Sequence, residues 1–273
     1  MFSYYIQIKF YSLMPLRPIF LFLVLLALGP EPSAGSTYCL LKRPRKEKKL
    51  ELPKPTRFDI VIHHSAYTVS FNPQTLTANW VAYELTADET DGPWSRKGLR
   101  FMPDPDYDGP QPDNDDFRNS GYSRGHLAPA GDMKWDSLAM VESFYFTNCI
   151  PQETKFNNGK WNQLEEKSRR WAKQYGKVYI VCGPEYLSDD TLRIGHNGLA
   201  VPDACFKALL VPQGESYSAI AFLMKNGGED RTLAACACTV DELEELLAMD
   251  FFCNLPDKVE KEIEAVVHWE DWK

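Results

Sequence analysis

The sequence predicts an α+β domain, and three observations carry that reading. Segments that alternate apolar and polar residues share the chain with segments of helical spacing. Their interleaving favours α+β over a doubly wound sheet. The composition, 44% hydrophobic and 25% charged, suits a chain that buries a sizeable core. Neither an internal repeat nor a long low-complexity run divides the 273 residues, so one domain is the simplest organisation.

The elements follow in order. Ile19 to Leu28 is an unbroken apolar run of ten residues, about half of what a membrane-spanning helix needs. Arg17 precedes it and Ser33, Ala34, Gly35 and Ser36 follow, the make-up of a signal peptide, with Met14 as an alternative start. An uncleaved anchor is the competing reading. We expect residues 1–34 to be removed, leaving a secreted or periplasmic protein with no stable membrane insertion. Lys42-Arg43-Pro44-Arg45-Lys46-Glu47-Lys48-Lys49, with Pro53 and Pro55, cannot bury apolar surface. Residues 35–55 are therefore expected to be a basic linker, acting either as a solvated tether or as a nucleic-acid attractor. The globular domain is expected over 56–273.

Within it, Tyr67–Asn72 and Trp80–Thr86 read as a β-hairpin. Residues 102–116 are a Pro/Asp-rich loop, and Asp136–Thr147 reads as a helix with Leu138, Met140, Val141 and Phe144 available for burial. Trp161, Leu164, Ser168 and Trp171 mark one face of a second helix running through Gln174. Lys177–Pro184 is a buried strand stopped by Gly-Pro. Ala204–Val211 and Tyr217–Lys225 pair around Pro212-Gln213-Gly214-Glu215, and Val240–Ala248 and Asp257–Val267 are amphipathic. The seven cysteines lie mostly in apolar stretches and show no zinc-site spacing, so no disulfide is expected. With 30 basic against 38 acidic residues the net charge is −8, so a nucleic-acid partner would need a local cationic cleft.

Chemistry concentrates downstream of Gly121. In Ser123-Arg124-Gly125-His126, the imidazole suits a general base near neutral pH and Arg124 suits an oxyanion. Taken alone, the pair fits a structural histidine better. Asn148, Asn157, Glu165 and Arg169 shift the balance: Glu165 and Arg169 are one helical turn apart, and Asn157 offers Mg²⁺ a hard oxygen ligand. Helix capping by Asn157 and a surface Glu165–Arg169 pair form the bland alternative.

These motifs, in this order, resemble the DNA/RNA non-specific endonuclease family of ββα-metal (His-Me finger) nucleases. The likeness runs from His64–Phe71 and Asn79–Leu85 through Phe101–Pro105, Ser123–His126, Asn148–Gln152 and Asn157–Glu165. It continues with Val201-Pro202, Phe206-Lys207 and Asp250–Pro256. The resemblance implies a central, mostly antiparallel sheet flanked by helices, and a DNA or RNA substrate cut to 5′-phosphate and 3′-hydroxyl ends. It further implies His126 as proton acceptor, Asn157 as Mg²⁺ ligand (Mn²⁺ substituting), and Asn148 positioning the histidine or phosphate. Glu165 and Arg169 would support the metal's waters and the substrate; Arg96 or Arg100 would contact phosphate. A homodimer fits the same picture. The family signature usually begins with Asp where this chain has Ser123. Two rival readings are a catalytically weak nucleic-acid-binding relative and a phosphodiesterase with a non-nucleic substrate.

Overall fold

The computed structural model describes residues 49–57, 59–187, 190–228 and 230–273. The expected signal peptide lies outside the described residues, as does most of the expected linker. Among the described residues no helix is long and apolar enough to cross a membrane.

A seven-stranded sheet forms the centre. Its strands are β1 (Ile60–His63), β2 (Thr68–Asn72), β3 (Thr77–Thr86), β6 (Lys177–Glu185), β9 (Ala204–Gln213), β10 (Ser216–Lys225) and β11 (Ala237–Cys238). They lie side by side in that order, and every pairing is antiparallel. Two small sheets stand apart: β4 (Tyr122–His126) with β5 (Cys149–Glu153), and β7 (Arg193–Ile194) with β8 (Leu199–Ala200). The helices are α1 (Ser137–Glu142), α2 (Thr154–Phe156), α3 (Asn162–Tyr175), α4 (Leu233–Cys236), α5 (Val240–Leu247) and α6 (Asp257–Glu264). This is the α+β, ββα architecture expected, with β4, β5 and α3 supplying its name.

Strand alternation explains the layering. On β6, Val178, Ile180 and Cys182 face one core while Tyr179 and Val181 face the other; on β9, Cys205, Leu209 and Val211 oppose Phe206, Ala208 and Leu210. The first core is closed by Trp161, Leu164, Trp171 and Ala172 of the α3 region, the second by Val240, Leu243 and Ile263 of α5 and α6. The sheet is thus buried on both faces, which is why the central residues of β6 and β9 are apolar except for Lys207. A two-residue turn joins β9 to β10, with Gln213 opposite Ser216 and Gly214 at φ 62°, a conformation glycine adopts without strain.

Three expectations need correction. The helix expected over Asp136–Thr147 ends at Glu142. Beyond it the backbone leaves to pair with Met102, whose N–H donates to Phe144 O (3.0 Å) and whose carbonyl accepts from Phe146 N–H (2.9 Å). Leu138 consequently sits exposed, and Asp136 caps the short helix by accepting from Leu138 and Ala139 N–H. The hairpin is longer than expected: β3 begins at Thr77, and β1 joins as an edge strand. Finally, the folded unit starts upstream of Thr56. Leu50 is buried against the second core, and Lys54 donates to Asp250 (2.8 Å). Cys149, Cys182 and Cys205 are buried thiols without a disulfide, as their apolar surroundings suggested.

Burial of Leu50 stabilises the fold by roughly 1.5–3 kcal/mol. A chain beginning at residue 56 is therefore expected to melt several degrees below one beginning at residue 49, compared by scanning calorimetry. Equal melting temperatures would show that residues 49–55 contribute nothing.

Candidate active site

The site is built on β4 and β5, two strands that sequence periodicity did not reveal. They pair from Tyr122 opposite Glu153 to His126 opposite Cys149. Gly125 permits this pairing. A Cβ there would lie 2.1 Å from Gln152 Oε1, so any side chain would force the buried Gln152 side chain to move. Asn148, fully buried, locks the exit from β4. Its Oδ1 accepts from Ala128 N–H, while its Nδ2 donates to Ala128 O and Ser143 O, all at 2.8 Å. Asn148 therefore does not line the cleft, which excludes contact with phosphate; it fixes the backbone that carries His126.

His126 is buried between two aromatic rings, Phe101 at 4.7 Å and Phe144 at 4.9 Å edge-on. Its carbonyl accepts from Trp161 Nε1 (3.2 Å), while Nε2 has no hydrogen-bond partner among the described residues. Burial, reinforced by the positive charge of Arg96, lowers its pKa to about 3. The imidazole is therefore neutral near pH 7, with a lone pair to accept a proton.

Opposite His126, the chain passes from α2 through a wide π-helical turn, Asn157–Trp161, into α3. Such turns add a residue to the helix and re-aim the side chains they carry. Here the turn places Asn157 at the cleft, where its Nδ2 donates to Ser123 Oγ (3.0 Å) and Ser123 donates onward to Gln152 O (2.9 Å). With its nitrogen committed, Asn157 keeps its carbonyl oxygen available to a ligand. Ser123 thus has a definite role as a hydrogen-bond relay from β5 to Asn157.

Glu165, on α3, is 9% exposed; burial, partly offset by Lys207, pushes its pKa up to about 7. Arg169, one turn on, donates to Asp132 Oδ1 (2.6 Å), and Asp132 also accepts from Tyr83 OH (2.9 Å). The surface Glu165–Arg169 pair of the alternative reading does not form; Arg169 instead bridges Asp132, which offers the guanidinium a fixed carboxylate off the helix.

One cleft of about 1080 Å³ gathers most of these groups: Ser123, Arg124, His126, Asn157, Glu165 and Arg169 line it, as do Arg96 and Arg100. Arg118 was not foreseen and lines the same cleft. Arg124 lies over the Phe117 ring (4.9 Å) and donates to Asn114 O (2.8 Å), which holds its charge at the rim. Of the two upstream arginines, Arg96 is the one whose charge acts on His126. Sequence reasoning also missed Phe101, Phe144 and Asp132. Only the apolar character of the first two gave a signal, and core packing would have explained it equally well.

The chemistry of this donor set fits a hard divalent cation. Asn157 and Glu165 offer oxygens, and few protein ligands suffice for an ion that retains its waters. Among the described residues, three other groups could also hold a cation, His64 with Asp104 and Asp106, Asp113 with Asp116 and His196, and Asp241 with Glu244 and Glu264, but none lines this cleft. A neutral imidazole, oxygens suited to a cation and several arginines in one cleft suit phosphoryl transfer. Residues 51–258 match the family model of the DNA/RNA non-specific endonucleases, and the chain belongs to that family of nucleases.

Relatives agree. Mitochondrial nuclease EXOG of Xenopus laevis is 34% identical over 206 residues, covering 69% of this chain and 57% of that protein. Nuclease C1 of Cunninghamella echinulata var. echinulata is 32% identical over 227 residues, covering 78% of this chain and 90% of its own. A crystal structure of an EndoG/EndoGI complex superposes with a TM-score of 0.71 at 29% identity, covering 78% of this chain and 92% of that one. The match to EXOG thus spans less than two thirds of that relative.

Two outcomes test the geometry. Replacing Asn148 with Ala leaves Ala128 N–H, Ala128 O and Ser143 O without partners, and should cost about 2–4 kcal/mol in urea unfolding. The pH dependence should carry two opposed slopes. The raised pKa of Glu165 makes the fold lose stability as pH climbs from 4.5 to about 7, whereas the lowered pKa of His126 makes it lose stability as pH falls from 6.5 towards about 3. In EDTA, Glu165→Gln should therefore gain stability at pH 7.5 relative to pH 5, compared with the wild type. His126→Ala should shift that difference the opposite way.

Proposed function

We propose that this chain is a Mg²⁺-dependent, sugar-non-specific endonuclease that hydrolyses phosphodiester bonds of DNA and RNA to 5′-phosphate and 3′-hydroxyl ends. The observation that carries this reading is charge placement. A chain of net charge −8 lines one cleft with Arg96, Arg100, Arg118, Arg124 and Arg169, around a neutral His126. A polyanion is the substrate such a cleft attracts.

His126 acts as general base, taking a proton from the attacking water. Its low proton affinity in the empty cleft rises when an anionic phosphate docks, since the added negative charge opposes the effect of Arg96. Arg96 and its neighbours face the charge that builds on the phosphoryl oxygens. Asn157 and Glu165 would hold the Mg²⁺. When bound, that ion supplies Lewis-acid polarisation and offsets charge on the leaving oxygen. The open cleft presents backbone-directed charge rather than a pocket for one base, in keeping with weak sequence preference.

Export remains part of this reading, supported by the apolar run Ile19 to Leu28, although several relatives are named as mitochondrial. Fractionation of a C-terminally tagged chain distinguishes the two destinations. A homodimer is likewise proposed, and sedimentation velocity measures it.

Incubation with plasmid, single-stranded DNA and RNA should show cleavage of each in Mg²⁺ and none in EDTA. No cleavage of any substrate would sink the nuclease reading, and cleavage that survives EDTA would sink the metal dependence. His126→Ala should lower turnover by at least ~100-fold with the fold intact. Asn157→Ala should raise the Mg²⁺ concentration needed for half-maximal rate, and an unchanged metal titration would remove Asn157 from the ion.

A further inference from the structure

Lys207 is the anomaly beneath this site. It occupies the middle of β9, on the alternation that also carries Cys205, Leu209 and Val211, so its side chain points into the core closed by α3. It is fully buried, and its Nζ has no hydrogen-bond partner among the described residues. A lysine almost never reaches such a position unless something compensates its charge. The ammonium lies 4.8 Å from the centroid of the Trp161 ring. Trp161 in turn donates its indole N–H to the carbonyl of His126.

Glu165 follows Trp161 by four residues, which places both on one face of the helix above Lys207. Two carboxylates, Glu165 and Asp132, are buried in this region. Arg169 is committed to Asp132 by a direct bridge. Lys207 makes no direct ion pair with Glu165, but among the positive charges around that carboxylate it acts most strongly, ahead of Arg169, and the Trp161 indole beneath it favours the ionised form as well.

We propose that Lys207 is the positioning residue of the active site: its buried ammonium holds the Trp161 ring and balances Glu165, fixing the turn and helix that present Asn157 and Glu165 to the ligand. The proposal rests on the nuclease reading above. Lys207 acts from β9 beneath α3 and does not line the cleft, so it touches neither substrate nor solvent. Its contribution is to make the charge of Glu165 compatible with burial, and to keep the carbonyl of His126 tied through Trp161.

The test is a double-mutant cycle on the full domain with Lys207→Met, which keeps an unbranched side chain one atom shorter and removes the charge, and Glu165→Gln. Thermal unfolding in EDTA reads the coupling without metal or substrate. Lys207→Met should lower the melting temperature by roughly 5 °C in the wild-type background, and by less than half of that beside Glu165→Gln, where no carboxylate needs the cation. If Lys207→Met alone fails to fold, the double variant should fold; failure of both would overturn the proposal in favour of simple packing. On plasmid DNA in Mg²⁺, Lys207→Met should lower kcat by ~10-fold or more and leave KM within ~3-fold, with little further loss when added to Glu165→Gln. Additive losses of stability, or a kcat close to wild type, would overturn it. A wild-type protein inert on every nucleic acid would instead refute the nuclease reading, whatever the melting data give.

Discussion

Two buried carboxylates, Glu165 lining the cleft and Asp132 behind Arg169, set the terms for everything around them. An ionised group taken out of water costs several kcal/mol unless partners replace its hydration. Asp132 meets that cost with the guanidinium of Arg169 and the hydroxyl of Tyr83. Glu165 has the field of Lys207. These partners come from β3, α3 and β9, so the helix has little freedom to slide over the sheet without stranding a charge. Gly131 belongs to the same constraint, since a Cβ there would come within 2.8 Å of Arg169 Nη1.

Beyond these carboxylates the construction changes. The arginines at the mouth of the cleft lie between Arg96 and Arg124, much of it chain without regular structure, where backbone follows the surface and side chains reach outward. The two tiers divide the labour. The buried tier fixes His126, Asn157 and Glu165 relative to one another, and the outer tier supplies positive potential over a broad opening. That division reconciles a net charge of −8 with an anionic substrate, because the acidic excess lies away from the cleft. Hydrogen bonds tie the tiers together at Ser123, which links Gln152 of β5 to Asn157 of the π-helical turn.

The sequence by itself determined the parts whose signal is local. Alternation marked β2, apolar runs bounded by turn residues marked β6, β9 and β10, and the spacing of Trp161, Leu164, Ser168 and Trp171 marked α3. The ordered motifs identified the residues that converge on the cleft. Tertiary structure alone decided the rest. Residues Tyr122–His126 become a strand because Cys149–Glu153 lies beside them, more than twenty positions along the chain. Asn148 turns inward because the backbone at Ala128 and Ser143 needs its amide, and helix α1 stops early because Met102 competes for its backbone. Arg169 pairs with Asp132, and the charge of Lys207 acts on Glu165, because packing α3 on β9 brings together charges that sequence separates by dozens of residues. Periodicity reports which way a side chain faces, but the partner it meets there is a property of the assembled fold.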